Sequence, residues 1–205
     1  MEARVLGRTG LAVSPIGLGL AALGRPGYIN LGHAADLEGE YELARMEAHA
    51  HTVLDAAWEA GVRYFDAARS YGRAEAFLAG WLAKRQIAPG AVTVGSKWGY
   101  TYTAGWKVEA ERHEVKEHTL ATLVRQAAES REIFGPHLGL YQIHSATPES
   151  GVLEGCAVLE ELARLRREGW KAGLTVTGPR QGETVRRALG VTLARERLFD
   201  CVQAT

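Results

Sequence analysis

Four titratable side chains occupy comparable places along this chain. Asp66 closes an apolar run at 62–66, Lys97 closes one at 91–97, and His144 closes one at 138–144; Tyr71 follows Asp66 by five residues, in the next loop, and precedes Gly72. A tyrosine hydroxyl, with a pKa near ~10, is a sluggish acid at neutral pH. A neighbouring ammonium stabilises the phenolate and makes the phenol a better acid. Lys97 can supply that charge, and Asp66 can keep Lys97 protonated and in place. His144 can hydrogen-bond a substrate oxygen and help to polarise it. The combination suits delivery of a proton to the oxygen of a carbonyl group. Taken singly, each residue has a plainer reading: the aspartate as a helix cap, the tyrosine as a packed aromatic with a wet hydroxyl, the lysine snorkelling to solvent, the histidine as a hydrogen-bonded rim residue. Only their joint arrangement at successive strand ends carries a site.

Such an arrangement needs strands that run in the same direction. Six short β-prone runs, at 14–20, 62–66, 91–97, 138–144, 172–177 and 199–205, alternate with stretches of helical period at 51–60, 74–85, 115–130, 153–168 and 183–189. In the first of these stretches Val53, Leu54, Ala57 and Trp58 fall on one face, and Gly61 sits where a C-terminal cap belongs. Strands separated by helices predict a parallel sheet with crossover connections. The pattern fits either a barrel or an open doubly wound sheet. In a barrel the C-terminal rim of the strands is where active sites are built. Longer loops are expected at 24–46 and 98–113. The spacing Gly17-x-Gly19-x-x-Ala22 fits a loose dinucleotide fingerprint, but no helix opens there, because Leu23-Gly-Arg-Pro-Gly27 follows.

On these residues the chain resembles the aldo-keto reductases. Tyr64-Phe-Asp-Ala-Ala-Arg-Ser-Tyr-Gly72 is similar to the family motif in which an aspartate and a tyrosine lie five apart, while Ser96-Lys97 and Leu140-Tyr-Gln-Ile-His144 match the lysine and histidine of its tetrad. The opening Leu6-Gly-Arg-Thr-Gly-Leu-Ala-Val-Ser-Pro-Ile-Gly-Leu-Gly19 also resembles that of many members. The resemblance implies an α/β (β/α)8 TIM barrel, with Asp66, Tyr71, Lys97 and His144 as catalytic residues. It implies reduction of aldehydes and ketones, or the reverse, by hydride transfer from a nicotinamide, NADP(H) being favoured and NAD(H) possible. In the family a Ser-Asn pair on the fifth strand and a glutamine on the sixth bind the nicotinamide carboxamide. Here Thr175 keeps the hydroxyl, Val176 loses the amide, and Gln203 matches the glutamine. Gly19, Thr175 and Gln203 are therefore the cofactor-binding expectation, with β-branched strand packing as the plainer reading of Thr175 and Thr177. Trp98 and Tyr100, just past Lys97, are expected either to line the substrate mouth or to pack within their loop.

A complete barrel needs about 250 residues, whereas this chain has 205 and reaches its sixth strand at the end. The expectation is one domain over 1–205, an incomplete barrel with strands one to six present and units seven and eight missing. In the family those units hold the pyrophosphate and the adenosine 2′-phosphate. An open edge would expose unpaired backbone and core, so stable activity of this chain as a monomer is not expected. Two alternatives follow: a non-catalytic or regulatory protein on the same fold, or an inactive truncated product. Lys+Arg and Asp+Glu both number 24, so nothing favours a nucleic-acid partner. Cys156 and Cys201 have no metal spacing, and with two cysteines in all a reduced, cytoplasmic setting is expected. The apolar stretch 11–24 is broken by Ser14, Pro15 and glycines and is too short to span a bilayer. The pairs His49/His51 and His113/His118 lack acidic or cysteine partners at ligand spacing, so they read as exposed helix or loop histidines and no metal is expected. The partner is thus a small carbonyl or sugar-like compound; oligomeric state is not legible.

Overall fold

A computed structural model of the chain describes residues 1–27, 37 and 39–204; residues 28–36 and 38, within the loop expected at 24–46, and Thr205 lie outside the described residues. A two-stranded hairpin, β1 (Arg4–Val5) and β2 (Ala12–Val13), precedes the main sheet. Then follow β3 (Leu18–Gly19), α1 (Leu43–Glu59), β4 (Tyr64–Asp66), α2 (Ala74–Lys84) and β5 (Thr93–Trp98). A second hairpin, β6 (Tyr100–Tyr102) with β7 (Glu114–Lys116), leads into α3 (Leu120–Phe134), β8 (Leu138–Ala146), α4 (Cys156–Arg167) and β9 (Lys171–Val176). The chain finishes with α5 (Gln181–Gly190), a short hairpin of β10 (Thr192–Leu193) and β11 (Glu196–Arg197), and β12 (Cys201–Gln203).

The main sheet has six parallel strands in the order β12-β9-β8-β5-β4-β3, curled as an incomplete barrel whose edge strands are β3 and β12. It keeps the expected alternation of strand and helix. The three hairpins were not anticipated. One of them moves a boundary: residues 115 and 116, read from their period as the start of a helix, belong to the strand 114–116 that pairs antiparallel with 100–102, and α3 begins only at Leu120. Thr119 caps it by accepting from the Thr122 amide. At the end of α1, Gly61 takes φ +88° and donates to Trp58 O at 3.0 Å, in keeping with the expected glycine cap.

The two-residue period of the strands decides what each face does. Phe65, Val94, Trp98, Tyr141, Ile143, Leu174 and Val176 face the helices and form one buried cluster with Leu54, Leu78, Trp81, Leu123, Leu162 and Leu165. Residues of the other parity, among them Asp66, Lys97, Gln142, His144 and Thr175, share the opposite face. Neighbouring pairs bring them together: Gly19 lies beside Asp66, Asp66 beside Gly95, and Lys97 beside Gln142. Gly95 suits that crowding, since a Cβ there would lie 3.2 Å from the Tyr64 hydroxyl and 3.3 Å from an Asp66 oxygen. Outside the sheet, Arg166 is half-buried and pairs with Asp200 at 3.0 Å, whose carboxylate also accepts from the Ala172 amide at 2.9 Å.

Candidate active site

Asp66 ends β4 and Lys97 lies one residue from the end of β5, so neighbouring parallel strands deliver both to one rim. Both are buried, at 6% and 2% exposure. The Lys97 ammonium donates to Asp66 Oδ2 at 2.6 Å and to Ala67 O at 2.9 Å. Gln142 Nε2 and the Tyr64 hydroxyl donate to Asp66 Oδ1 at 3.2 and 3.5 Å. The carboxylate is thus bonded on both oxygens, which is what a charge in this surrounding requires. Burial by itself lowers the pKa of Lys97, but the charge of Asp66 and the neighbouring Tyr71 outweigh it, and the net shift is upward. Lys97 is therefore an ammonium throughout the neutral range.

Tyr71 stands in the loop between β4 and α2, held by its own amide to Ala68 O at 3.0 Å and by Ala74 N to Tyr71 O at 3.1 Å. Its ring lies 4.8 Å from Lys97 Nζ, measured to the centroid. Its hydroxyl is 3.4 Å from His144 Nε2, and the two rings meet edge to face at 5.4 Å. Burial first, and then the positive charge of Lys97, push the His144 imidazole well below its ordinary pKa, so it is neutral near pH 7. Its other nitrogen, Nδ1, is 3.4 Å from the buried Ser70 hydroxyl. Immediately after His144 the strand bulges: Ser145 adopts φ +53°, the register with β9 shifts, and the Ser145 amide donates to Thr175 Oγ1 at 2.7 Å.

The structure thus brings Asp66, Tyr71, Lys97 and His144 into one cluster. Tyr100 joins it, with its ring 4.8 Å from that of His144. Trp98 does not: one residue on from Lys97 it has the opposite parity, is 0% exposed, and packs in the helix-facing core. The expectation that it lines a substrate mouth is corrected on that ground. Gly19 and Gln203 are exposed on the two edge strands, and Gln203 lies beside Thr175. Thr175 is buried and already engaged by the Ser145 amide.

Several residues near the cluster had no signal in the sequence. Ser70, Gln142 and Arg25 act across gaps of 74, 76 and 45 residues to His144, Asp66 and Ser70 O. Arg25 also pairs with Glu114 at 3.1 Å and lies over the Tyr71 ring at 5.4 Å. His118, read as an exposed loop histidine, is instead partly buried: it packs on Trp98 at 5.6 Å, and its Nε2 is 2.9 Å from His144 O. Burial drives its pKa down to about 4. Among the described residues no group of three or more potential metal ligands occurs, and no helix is long and apolar enough to cross a membrane. A cleft of about 810 Å³ beside β12, lined in part by Arg8, Arg195 and Phe199, touches none of the four clustered residues. It lies beside the edge strand of the unclosed sheet, whereas the four residues cluster at the strand rim.

A family model described as Aldo/keto reductase family matches residues 15–187. The pyridoxal 4-dehydrogenase of Microbacterium luteolum is 30% identical over 165 residues, which take in 70% of this chain and 43% of that protein. The chain therefore spans less than half the length of this curated relative. A crystal structure of a Pseudomonas aeruginosa protein assigned to the aldo-keto reductases has a TM-score of 0.70 at 26% identity, covering 98% of this chain and 67% of that one. An aldo-keto reductase from Bacillus halodurans, solved in its holo form, has a TM-score of 0.67 at 21% identity, covering 93% and 54%, a likeness of fold. A family model spanning most of the chain, joined to the parallel sheet that carries the cluster, places this protein in the aldo/keto reductase family.

Proposed function

We propose that the protein reduces small aldehydes or ketones to alcohols, or runs the reverse reaction, with Tyr71 as the proton donor and NAD(P)H as the hydride source. The observation that carries this reading is the Lys97 ammonium, 2.6 Å from Asp66 and 4.8 Å from the Tyr71 ring, beside a neutral His144 3.4 Å from the phenol oxygen. An ammonium fixed there stabilises the phenolate left when Tyr71 gives its proton to the carbonyl oxygen. Neutral His144 can donate a hydrogen bond to that same oxygen and orient it. Asp66 keeps Lys97 charged without touching the substrate. Tyr100, its ring tilted against that of His144, would form one wall of the substrate site.

The residues suit a nicotinamide at the rim. Gly19 is exposed and a Cβ there would meet nothing within 4 Å, so a flat ring can approach the strand end closely. The exposed Gln203 amide lies beside Thr175 and can reach a carboxamide, and Thr175 bounds the same surface. Val176, buried among the helix-facing side chains, offers no polar contact. NADP(H) is the favoured form on the family resemblance. Bound there, the cofactor supplies the hydride; the protein's own groups supply the proton and the orientation. The relative's name makes pyridoxal the first carbonyl compound to assay.

The test is Tyr71→Phe. Loss of the general acid should lower aldehyde reduction by about 10²–10⁴-fold while cofactor binding, followed by fluorescence, stays close to that of the parent. Turnover at the parent rate would remove Tyr71 from the reaction.

A further inference from the structure

Glu75, the second residue of α2, is 2% exposed and takes no part in the chemistry above. Its Oε1 accepts from the Ser96 hydroxyl at 2.5 Å and from the Ser130 hydroxyl at 2.7 Å, and its Oε2 is paired with the Arg69 guanidinium. Arg69 is braced from the other side by Glu129, with contacts at 3.0 and 2.6 Å. A carboxylate out of water persists only when its oxygens are bonded, and the first turn of a helix adds a favourable field.

The donors are attached to the parts that matter. Ser96 immediately precedes Lys97 on β5. Arg69 lies two residues before Tyr71, and its amide donates to Lys97 O at 3.0 Å. Ser130 belongs to α3, which packs behind both. One buried carboxylate therefore joins the strand that carries the ammonium to the loop that carries the phenol. Cohesion alone does not call for such a hub, because well-packed apolar side chains of similar volume often stabilise as well as a buried ion pair. A fixed relation between two segments does call for it, since hydrogen bonds are directional and apolar contacts are not.

We propose that Glu75 is a positioning residue that locks the 67–72 loop onto β5 and thereby sets the distance between the Tyr71 phenol and the Lys97 ammonium. The geometric half of this stands by itself; its effect on turnover rests on the function proposed above. Glu75→Gln keeps the shape and removes the charge, and Ser96→Ala removes one donor while leaving the Arg69 pairing intact. Backbone amide exchange measured on the intact chain should rise at least about tenfold in 67–72 for Glu75→Gln, with α4 and α5 unchanged and a smaller rise for Ser96→Ala. In turnover, kcat should fall by up to about 10²-fold, the usual cost of an ångström of misplacement, with KM for the carbonyl nearly constant, and Glu75→Asp should recover part of it. Exchange that rises uniformly over the protein, or not at all in 67–72, overturns the proposal, as does a raised KM at unchanged kcat. Should Glu75→Gln fail to fold, the local exchange in Ser96→Ala decides the matter in the same terms. A parent protein that reduces no carbonyl compound would refute the proposed function, and the exchange pattern would still settle the role of Glu75.

Discussion

Replacing Lys97 by methionine keeps much of the side-chain volume and removes the charge on which the proposed chemistry depends. Lys97 and Asp66 are 2% and 6% exposed, so neither has water to fall back on. The substitution removes the 2.6 Å contact to Asp66 and the 2.9 Å contact to Ala67 O, leaving the carboxylate with Gln142 at 3.2 Å and Tyr64 at 3.5 Å. Removing one member of a buried ion pair typically costs about 3–5 kcal/mol. For a chain of this size a loss of that order lowers Tm by about 6–20 °C. Adding Asp66→Asn to Lys97→Met should return part of the loss, because the amide is neutral and retains the donors from Gln142 and Tyr64. Urea and thermal unfolding of both single variants and the double variant give the coupling. The pH dependence has a definite sign. Lys97 is raised above the ordinary lysine value of 10.5, so its contribution is complete below 10.5 and fades only as pH climbs through the folded value. The gap between parent and Lys97→Met should therefore be flat from neutral to mildly alkaline pH. A Lys97→Met variant within about 1 kcal/mol of the parent, strictly additive with Asp66→Asn, would refute the buried pair.

Further outcomes follow from the same geometry. His118, held down to about 4, stays neutral in the folded protein while an unfolded histidine protonates near 6.5, so stability should fall on acidification between those values, by at most about 1.4 kcal/mol per pH unit. His144 acts in the same direction, so urea unfolding at several pH values should show a shallower acid loss in His118→Gln, though not a flat one. Equal slopes in the two proteins would place the His118 ring in water. At Gly24 a Cβ would lie 2.2 Å from Tyr71 O and 2.5 Å from Ala74, backbone that cannot rotate away, so Gly24→Ala should cost about 1–3 kcal/mol by thermal melting. Gly19→Ala meets nothing within 4 Å and should melt like the parent, yet weaken nicotinamide binding in a fluorescence titration. Unchanged affinity would take Gly19 out of the cofactor site.

Much of the frame was legible because it rests on local regularities. The alternation of β-prone runs with helical periods located all six strands of the main sheet, since strand and helix place apolar residues at different intervals. Strand parity, in turn, makes Asp66, Lys97 and His144 companions on one face. The same parity could have moved Trp98 away from the substrate side, had β5 been read one residue further. The boundary of α3 was missed because apolar spacing at 115–124 is blind to the strand at 100–102 that captures residues 114–116.

The chain itself determined which groups stand at the strand ends and how many residues separate Asp66 from Tyr71. Tertiary structure alone decided which of them meet a fourth and fifth partner. The Glu75 carboxylate, with donors 21 and 55 residues away, the Gln142 amide on Asp66, and the His118 ring behind His144 are contacts between segments remote in sequence. Periodicity reports the face on which a residue lies, because that follows from its own backbone. It carries nothing about what lies opposite, because that depends on the path of every intervening segment.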